Sequence, residues 1–419
     1  MRKKRWAVKT EFVVEFQCPQ CGAPASLEES SRLFICEYCH VKSYLVPRDV
    51  FRYVLPSRAP ENKEIIYYPY WRYRGVLFVC MPSYTVHGEV INKILQAAPS
   101  GFFPFDLGFK TQVMKIRFTG RDIKGRVLYP IIPFKDALEY FKDHYPDYYH
   151  SEFIGSLDLI YAPFYVQDDT LYDAISNGRV DTYRDEPIIV TQDLITELPP
   201  VDHLQQDVKF IPTLCPNCGW DMDCARDSYL LVCKNCSSFY KPGWEGLKTM
   251  RVAYLPGDRN TALYLPFWRI RAEMTGIKLN SYEDLIKIAN LVKFLQEDCA
   301  QKKFYFWIPG FRIDSHLFLK IAKNVTVSQP QESLERSVPD APAYPVNLPI
   351  PEVVKTLKTV LAGFVGFPEV NYPKLEEIVI RPKRLALIYL PFQVMGSEFI
   401  HPKYKVRVTK KTLEHFRLS

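Results

Sequence analysis

A stretch that occurs twice constrains this chain more than anything else in it. Cys18-Pro-Gln-Cys21-Gly is followed by Cys36-Glu-Tyr-Cys39 and then by Tyr67-Tyr-Pro-Tyr-Trp-Arg-Tyr-Arg74. Cys215-Pro-Asn-Cys218-Gly is followed in the same way by Cys233-Lys-Asn-Cys236 and Tyr264-Leu-Pro-Phe-Trp-Arg-Ile-Arg271. Cys18 to Cys215 and Trp71 to Trp268 are both 197 positions apart. A Cys-x2-Cys turn supplies two thiolates, and two such turns complete a tetrahedron around one soft divalent ion. A glycine behind the second cysteine suits a backbone that must curl around the sulfurs. Each copy must therefore bring two distant turns together, and the chain reads as two homologous halves, about 1–200 and 201–419.

These stretches of Cys-Pro-x-Cys-Gly and Cys-x2-Cys resemble the zinc-ribbon family, in which knuckles at two hairpin tips clamp one ion. The resemblance covers roughly 22 residues per copy and concerns metal binding, not activity. It implies as ligands Cys18, Cys21, Cys36 and Cys39 in the first copy, and Cys215, Cys218, Cys233 and Cys236 in the second. Two structural zinc ions are expected, one per ribbon, each with four protein ligands and no open position for water. A rubredoxin-like iron site is the chemical alternative, but the second turns lack the Cys-Pro-x-Cys-Gly form. Disulfides are the other alternative. Eight of the eleven cysteines sit in Cys-x2-Cys pairs, and Lys9, Glu11 and Glu15 interrupt any apolar signal behind Arg2-Lys-Lys-Arg5. We therefore expect a reducing, cytoplasmic setting with metal-bound thiolates. Cys224 could compete as a ligand, but its counterpart is Leu27; Cys80 and Cys299 read as buried apolar positions.

The 54 basic and 47 acidic residues give a formal charge of +7. Each tetrathiolate around a divalent ion carries about −2, so two sites leave about +3 and remove most of the basic character. Proline (33) outnumbers glycine (18), which favours rigid extended segments over glycine-built phosphate loops. No apolar run approaches the roughly 18 residues needed to cross a bilayer. The Arg2–Arg5 tail could make peripheral membrane contact, although a solvated tail is the simpler reading.

The expected class is a strand-rich α+β chain, each half an N-terminal four-cysteine zinc ribbon followed by a mixed α/β module. Residues 1–48 hold the basic tail and ribbon 1, and 49–200 a strand-rich module. Residues 201–245 hold a connection and ribbon 2, and 246–419 a second module. Strands are expected over 11–16, 49–56, 62–80, 102–118, 126–132 and 157–165, and a helix over Phe134–Phe141 with Ala137, Leu138 and Phe141 on one face. The clearest helix begins at Ser281, with Asp284 completing a cap and Leu285, Ile288, Ala289, Val292 and Leu295 as its apolar stripe. Arg52–Pro56 is echoed at 252–256, Gly108-Phe-Lys110 at Gly310-Phe-Arg312, and Tyr161-Ala-Pro-Phe164 at Tyr389-Leu-Pro-Phe392. The offset grows to 228 at Tyr389, an excess we assign to a proline-rich linker at 328–351. A second polar connection is expected near 196–212.

Function is less legible. In the Trp-Arg strands, alternation puts Tyr67, Pro69, Trp71 and Tyr73 on one face and Tyr68, Tyr70, Arg72 and Arg74 on the other. Such arginines could neutralise phosphates among stacked bases, or pair with carboxylates and lie over rings inside the fold; packing is preferred. Residues between the knuckles are acidic, with Glu28 and Glu29 in one ribbon and Asp221, Asp223 and Asp227 in the other, which opposes phosphate binding there. No G-x-G-x-x-G, Walker, H-E-x-x-H or G-x-S-x-G motif is present, and the Asp143–His150 cluster fits no ligand spacing. The expectation is a non-catalytic zinc-binding adaptor or assembly protein, its two halves engaging protein partners, a repeated or symmetric target included. The alternative is a nucleic-acid-binding zinc-ribbon protein of transcription, replication or RNA biology.

Overall fold

The computed structural model describes residues 12–108, 115–142, 147–181, 190, 200, 207–291, 299–336, 341–401 and 403–417. The Arg2–Arg5 tail, Phe109, Lys110, Asp143, His144, Val292 and Leu295 lie outside them. The described residues are strand-rich, with mixed sheets. No helix among the described residues is long and apolar enough to cross a membrane.

Two compact units form. Residues 1–74, 91–144 and 156–212 make the first, and 75–90, 145–155 and 213–419 the second. Three long strands, Ile66–Cys80, Val86–Gln96 and His150–Gln167, contribute residues to both. In the first unit, Phe51–Val54 pairs in parallel with His150–Gln167 and antiparallel with Lys115–Phe118, which continues in parallel to Val13–Gln17 and its hairpin partner Pro24–Glu28. Alternation along Ile66–Cys80 holds as the sequence predicts, and both faces are buried. Tyr68 and Tyr70 join a core with Phe103, Ile160 and Phe164, whereas Tyr67 and Trp71 pack with Ala97, Leu159 and Tyr161. In the second unit, the strand Thr261–Thr275 lies between Phe306–Pro309 and Val379–Met395, and Val252–Tyr254 adds to the latter in parallel.

The same hydrogen-bond frame recurs in the two units. Leu55 N donates to Tyr161 O at 3.0 Å, and Leu255 N to Tyr389 O at 2.9 Å. Ala97 N donates to Pro69 O at 3.0 Å, and Gly310 N to Pro266 O at 2.8 Å. Ile132 N donates to Ala97 O at 2.9 Å, and Leu348 N to Gly310 O at 3.1 Å. The indole N–H of Trp71 reaches Ile132 O at 2.7 Å, and that of Trp268 reaches Leu348 O at 3.2 Å. Both tryptophans thus tie their strand to a proline-led segment that enters a helix, Phe134–Lys142 in one case and Ile350–Phe364 in the other.

Several expectations are corrected by the fold. Gly310 occupies the place of Ala97, not of Gly108, whose N–H instead donates to Asp106 Oδ1 at 2.8 Å in a turn. Residues 328–336 and 341–351 of the expected linker are not loose. Gln329, Tyr344, Val346, Asn347 and Leu348 are buried, Tyr344 N donates to Tyr264 O at 2.8 Å, and Pro351 sits in the first turn of Ile350–Phe364, where its missing N–H costs nothing. Nor is 196–212 all polar connection, because Val208–Pro212 pairs antiparallel with Lys42–Pro47. Only Lys115–Phe118 of the expected 102–118 strand and Arg126–Val127 of the expected 126–132 strand are strand among the described residues.

The helix Tyr282–Ile288 forms with the expected box: Asp284 N donates to Ser281 Oγ at 3.1 Å, and Ser281 N to Asp284 Oδ2 at 3.0 Å. The helix Ser315–Ser328 is held at its start by Asp314, which accepts from His316 N and Leu317 N, and buries Phe318, Ile321, Ala322 and Val325. Where Ile66–Cys80 meets His150–Gln167, a Cβ on Gly75 would sit 2.2 Å from Ile154 O, so only glycine permits that approach.

Candidate metal centres

The four Cys-x2-Cys turns share a left-handed residue behind the second cysteine, and three of them the same backbone hydrogen bond. Gly22 N donates to Cys18 O at 2.9 Å, Gly219 N to Cys215 O at 2.9 Å and His40 N to Cys36 O at 3.0 Å. The residue behind the second cysteine is left-handed every time: Gly22 at φ 74°, Gly219 at 71°, His40 at 57° and Ser237 at 54°. Glycine takes this conformation without strain; His40 and Ser237 hold it at a cost of about 1 kcal/mol each. The second turns are therefore full knuckles despite lacking the glycine.

The hairpins bring the turns together. In the first ribbon the Sγ atoms of Cys18 and Cys39 are 3.8 Å apart and those of Cys21 and Cys36 3.7 Å. In the second, Cys215 and Cys236 are 3.6 Å apart and Cys218 and Cys233 3.5 Å. Within each set every Sγ lies within 4.8 Å of the others. A disulfide requires about 2.05 Å. A tetrahedron with metal–sulfur bonds of about 2.3 Å has edges of about 3.8 Å, so these sets have the size of a tetrathiolate metal site. The first cysteine of every turn is buried, while Cys21, Cys39 and Cys218 are exposed and Cys236 partly so. Both centres could hold a metal ion, with protein sulfur on all four corners.

Four thiols in contact cannot all ionise on their own. The Cys39 amide hydrogen bond holds the Cys36 thiol down to about 6. Cys39 is pulled down by the Val41 amide, yet local loss of hydration at its sulfur and the neighbouring thiols prevail and raise it to about 12. The Ser238 hydroxyl holds Cys236 at about 6, whereas lost hydration and its neighbours push Cys233 up to about 12. A divalent cation relieves this repulsion, so loading releases protons.

Cys224 stays out of the second set, its thiol directed at Ala225 O at 2.9 Å. Cys80 and Cys299 are buried, as the sequence predicts, and burial pushes the Cys80 thiol up to about 12. Among the described residues the two cysteine sets are the only groups of three or more His, Cys, Asp or Glu side chains placed to share an ion. Asp147 and His150 of the aromatic cluster join no such group.

The first Trp-Arg strand spends its charge internally. Arg72 is 1% exposed, lies over the Phe12 ring at 4.7 Å and bonds Glu29 Oε1, whose side chain is fully buried. Arg74 meets Glu29 at 3.3 Å and Asp158 at 3.2 Å. Glu29 is thus a buried counterion and no part of an acidic tip. In the second ribbon Asp223 pairs with Lys234 at 2.6 Å, and Asp227 accepts from Asn347 Nδ2 at 2.8 Å. The acidity between the knuckles therefore carries less weight against nucleic acid than composition implies. The second Trp-Arg strand differs: Arg269 is partly exposed and lies over Tyr305 at 4.9 Å and Trp307 at 5.8 Å.

The ribbons also display large apolar side chains that sequence reasoning passed over. Ile35 is 55% exposed and Tyr38 65%, both at the second knuckle of the first ribbon. Leu214 is 58% exposed and Trp220 61%, both at the first knuckle of the second. Comparison with protein-family models, with curated proteins and with solved structures finds no match to this chain, so its reading rests on the two four-thiol centres.

Proposed function

We propose that this chain is an internally duplicated, non-catalytic adaptor or assembly protein, stabilised by two structural zinc ions and binding protein partners through its ribbons. The recurring hydrogen-bond frame and the Trp71 and Trp268 bonds support the duplication. Four sulfur ligands per ion leave no position for water or substrate, which supports a structural over a catalytic metal. The observation that carries the binding role is the exposed pair beside each centre, Ile35 with Tyr38 and Leu214 with Trp220. Those pairs occupy non-equivalent knuckles, so each ribbon engages its own partner surface rather than one symmetric target. Affinity purification from native cells, with Tyr38→Ser and Trp220→Ser variants in parallel, tests this. Each variant should lose a distinct set of co-purifying proteins while keeping its zinc. Identical partner sets in parent and both variants would refute the ribbon surfaces.

Nucleic acid is the second reading. Arg269 and Arg271 favour it, as partly exposed cations two residues apart on one strand. Recovery of nucleic acid alone, lost steeply with salt, would replace the adaptor reading.

A further inference from the structure

The two Trp-Arg strands carry the same cations but not the same counterions. In the first unit Arg72 and Arg74 are neutralised by Glu29 and Asp158. The ribbons align without gaps at an offset of 197, which puts Arg226 in the place of Glu29. Asp158-Leu-Ile-Tyr161 aligns with Ala386-Leu-Ile-Tyr389, which puts Ala386 in the place of Asp158. Both carboxylates are gone from the second copy, yet both arginines remain. Ala386 stands directly across the ladder from Arg269, and Arg384 directly across from Arg271. Like charges opposed on one sheet face repel unless an anion lies between or beside them.

The surroundings of Arg269 add donors and no free acid. A cleft there is lined by Arg269, Gln301, Lys303, Tyr305, Gln331 and Glu332. Glu332 is already engaged, bonding Lys403 and accepting from the Tyr404 hydroxyl at 2.7 Å. Among the described residues no carboxylate forms an ion pair with Arg269, Arg271 or Lys303. Arg269 lies over the rings of Tyr305 and Trp307, a placement that fixes a guanidinium while leaving N–H edges able to grip two oxygens at once.

We infer that the Arg269 face of the second unit is a phosphate-group binding site, with Arg269 as the bidentate anchor and Arg271 and Lys303 as supporting charges. A dianion matches the uncompensated charge better than a single carboxylate does. The comparison with Arg72 rests on the duplication proposed above; the charge imbalance at Arg269 does not. The site is independent of the ribbons' apolar pairs, so losing one reading leaves the other standing.

The test titrates the zinc-loaded full chain with inorganic phosphate, following arginine Nε–Hε resonances and calorimetric heat. Saturable binding with one equivalent is expected, weakened at least about tenfold by Arg269→Gln and unchanged by Arg407→Gln, an exposed cation elsewhere. Ala386→Asp keeps every cation and restores the acid of the first copy; it should also abolish binding. This second variant decides the matter if Arg269→Gln fails to fold. Absence of saturable binding, or binding undiminished in whichever of the two variants fold, overturns the inference. A short single-stranded oligonucleotide in a parallel arm identifies the source. Tighter binding than phosphate, lost with Arg269→Gln, assigns the phosphate to a nucleic-acid backbone; binding no tighter assigns it to a small molecule.

Discussion

Removing Arg72 should damage the first unit far more than removing Arg269 damages the second, although both follow the tryptophan of the same motif. Arg72 belongs to a buried set of two cations and two anions, with Glu29 fully buried and Asp158 at 5% side-chain exposure. Arg72→Met leaves that set one negative charge in excess. Breaking a buried pair costs roughly 3–5 kcal/mol, and the low end applies here because Arg74 still faces Glu29 at 3.3 Å. The double variant Arg72→Met with Glu29→Met restores neutrality, since Arg74 retains Asp158, and should fall within about 1 kcal/mol of the parent. Arg269→Met strands no carboxylate and forfeits only ring contacts, at a cost of about 1 kcal/mol or less. A two-unit chain need not unfold in one step, so the measurement is hydrogen exchange of amides in each unit under denaturant, with zinc saturating. A cost for Arg72→Met below about 1 kcal/mol would refute the argument. So would a double variant no more stable than the single one.

Three further outcomes follow from the geometry. On the proposed zinc assignment, Cys36→Ser with Cys39→Ser should lower bound zinc from about two per chain to about one, by metal analysis, and unfold the first ribbon alone. His40→Gly and Ser237→Gly should each raise stability by up to about 1 kcal/mol, because both positions are left-handed; a loss in thermal or chemical denaturation would contradict that strain. Burial pushes His401 from 6.5 down to about 4, against the opposing pull of Glu332, and its ring stacks on Tyr404 at 4.1 Å. The unfolded chain therefore takes up this proton first, so stability is whole above pH 6.5 and falls by about 3 kcal/mol as pH drops towards 4. A denaturation series over that window should show the loss, and His401→Phe should remove His401's share of it.

Much of the local structure was legible in the residues. The eight thiols, the Ser281 cap and the two alternating faces of Tyr67–Arg74 follow from spacing, capping chemistry and period-two alternation. The linker reading of 328–351 covered only the first turn of the helix Ile350–Phe364 and went no further, although the stripe of Val353, Leu357, Val360, Leu361 and Phe364 marks the rest as helical. The strand Val208–Pro212 was hidden because its partner lies at Lys42–Pro47, and no local pattern announces a pairing across that distance.

The repeated motif, which dominates the chain when it is read in order, behaves in the same way. Its cysteines need only each other to form a set that could hold an ion, so their meeting is written in their spacing. Its arginines carry no such local instruction: Arg72 is buried against Glu29, whereas Arg269 is partly exposed and lies over Tyr305 and Trp307. What separates them lies in residues far away along the chain, Glu29 and Asp158 beside the first strand and Tyr305 and Trp307 beside the second. Charge compensation is a property of neighbours in space, and only the folded chain supplies those neighbours.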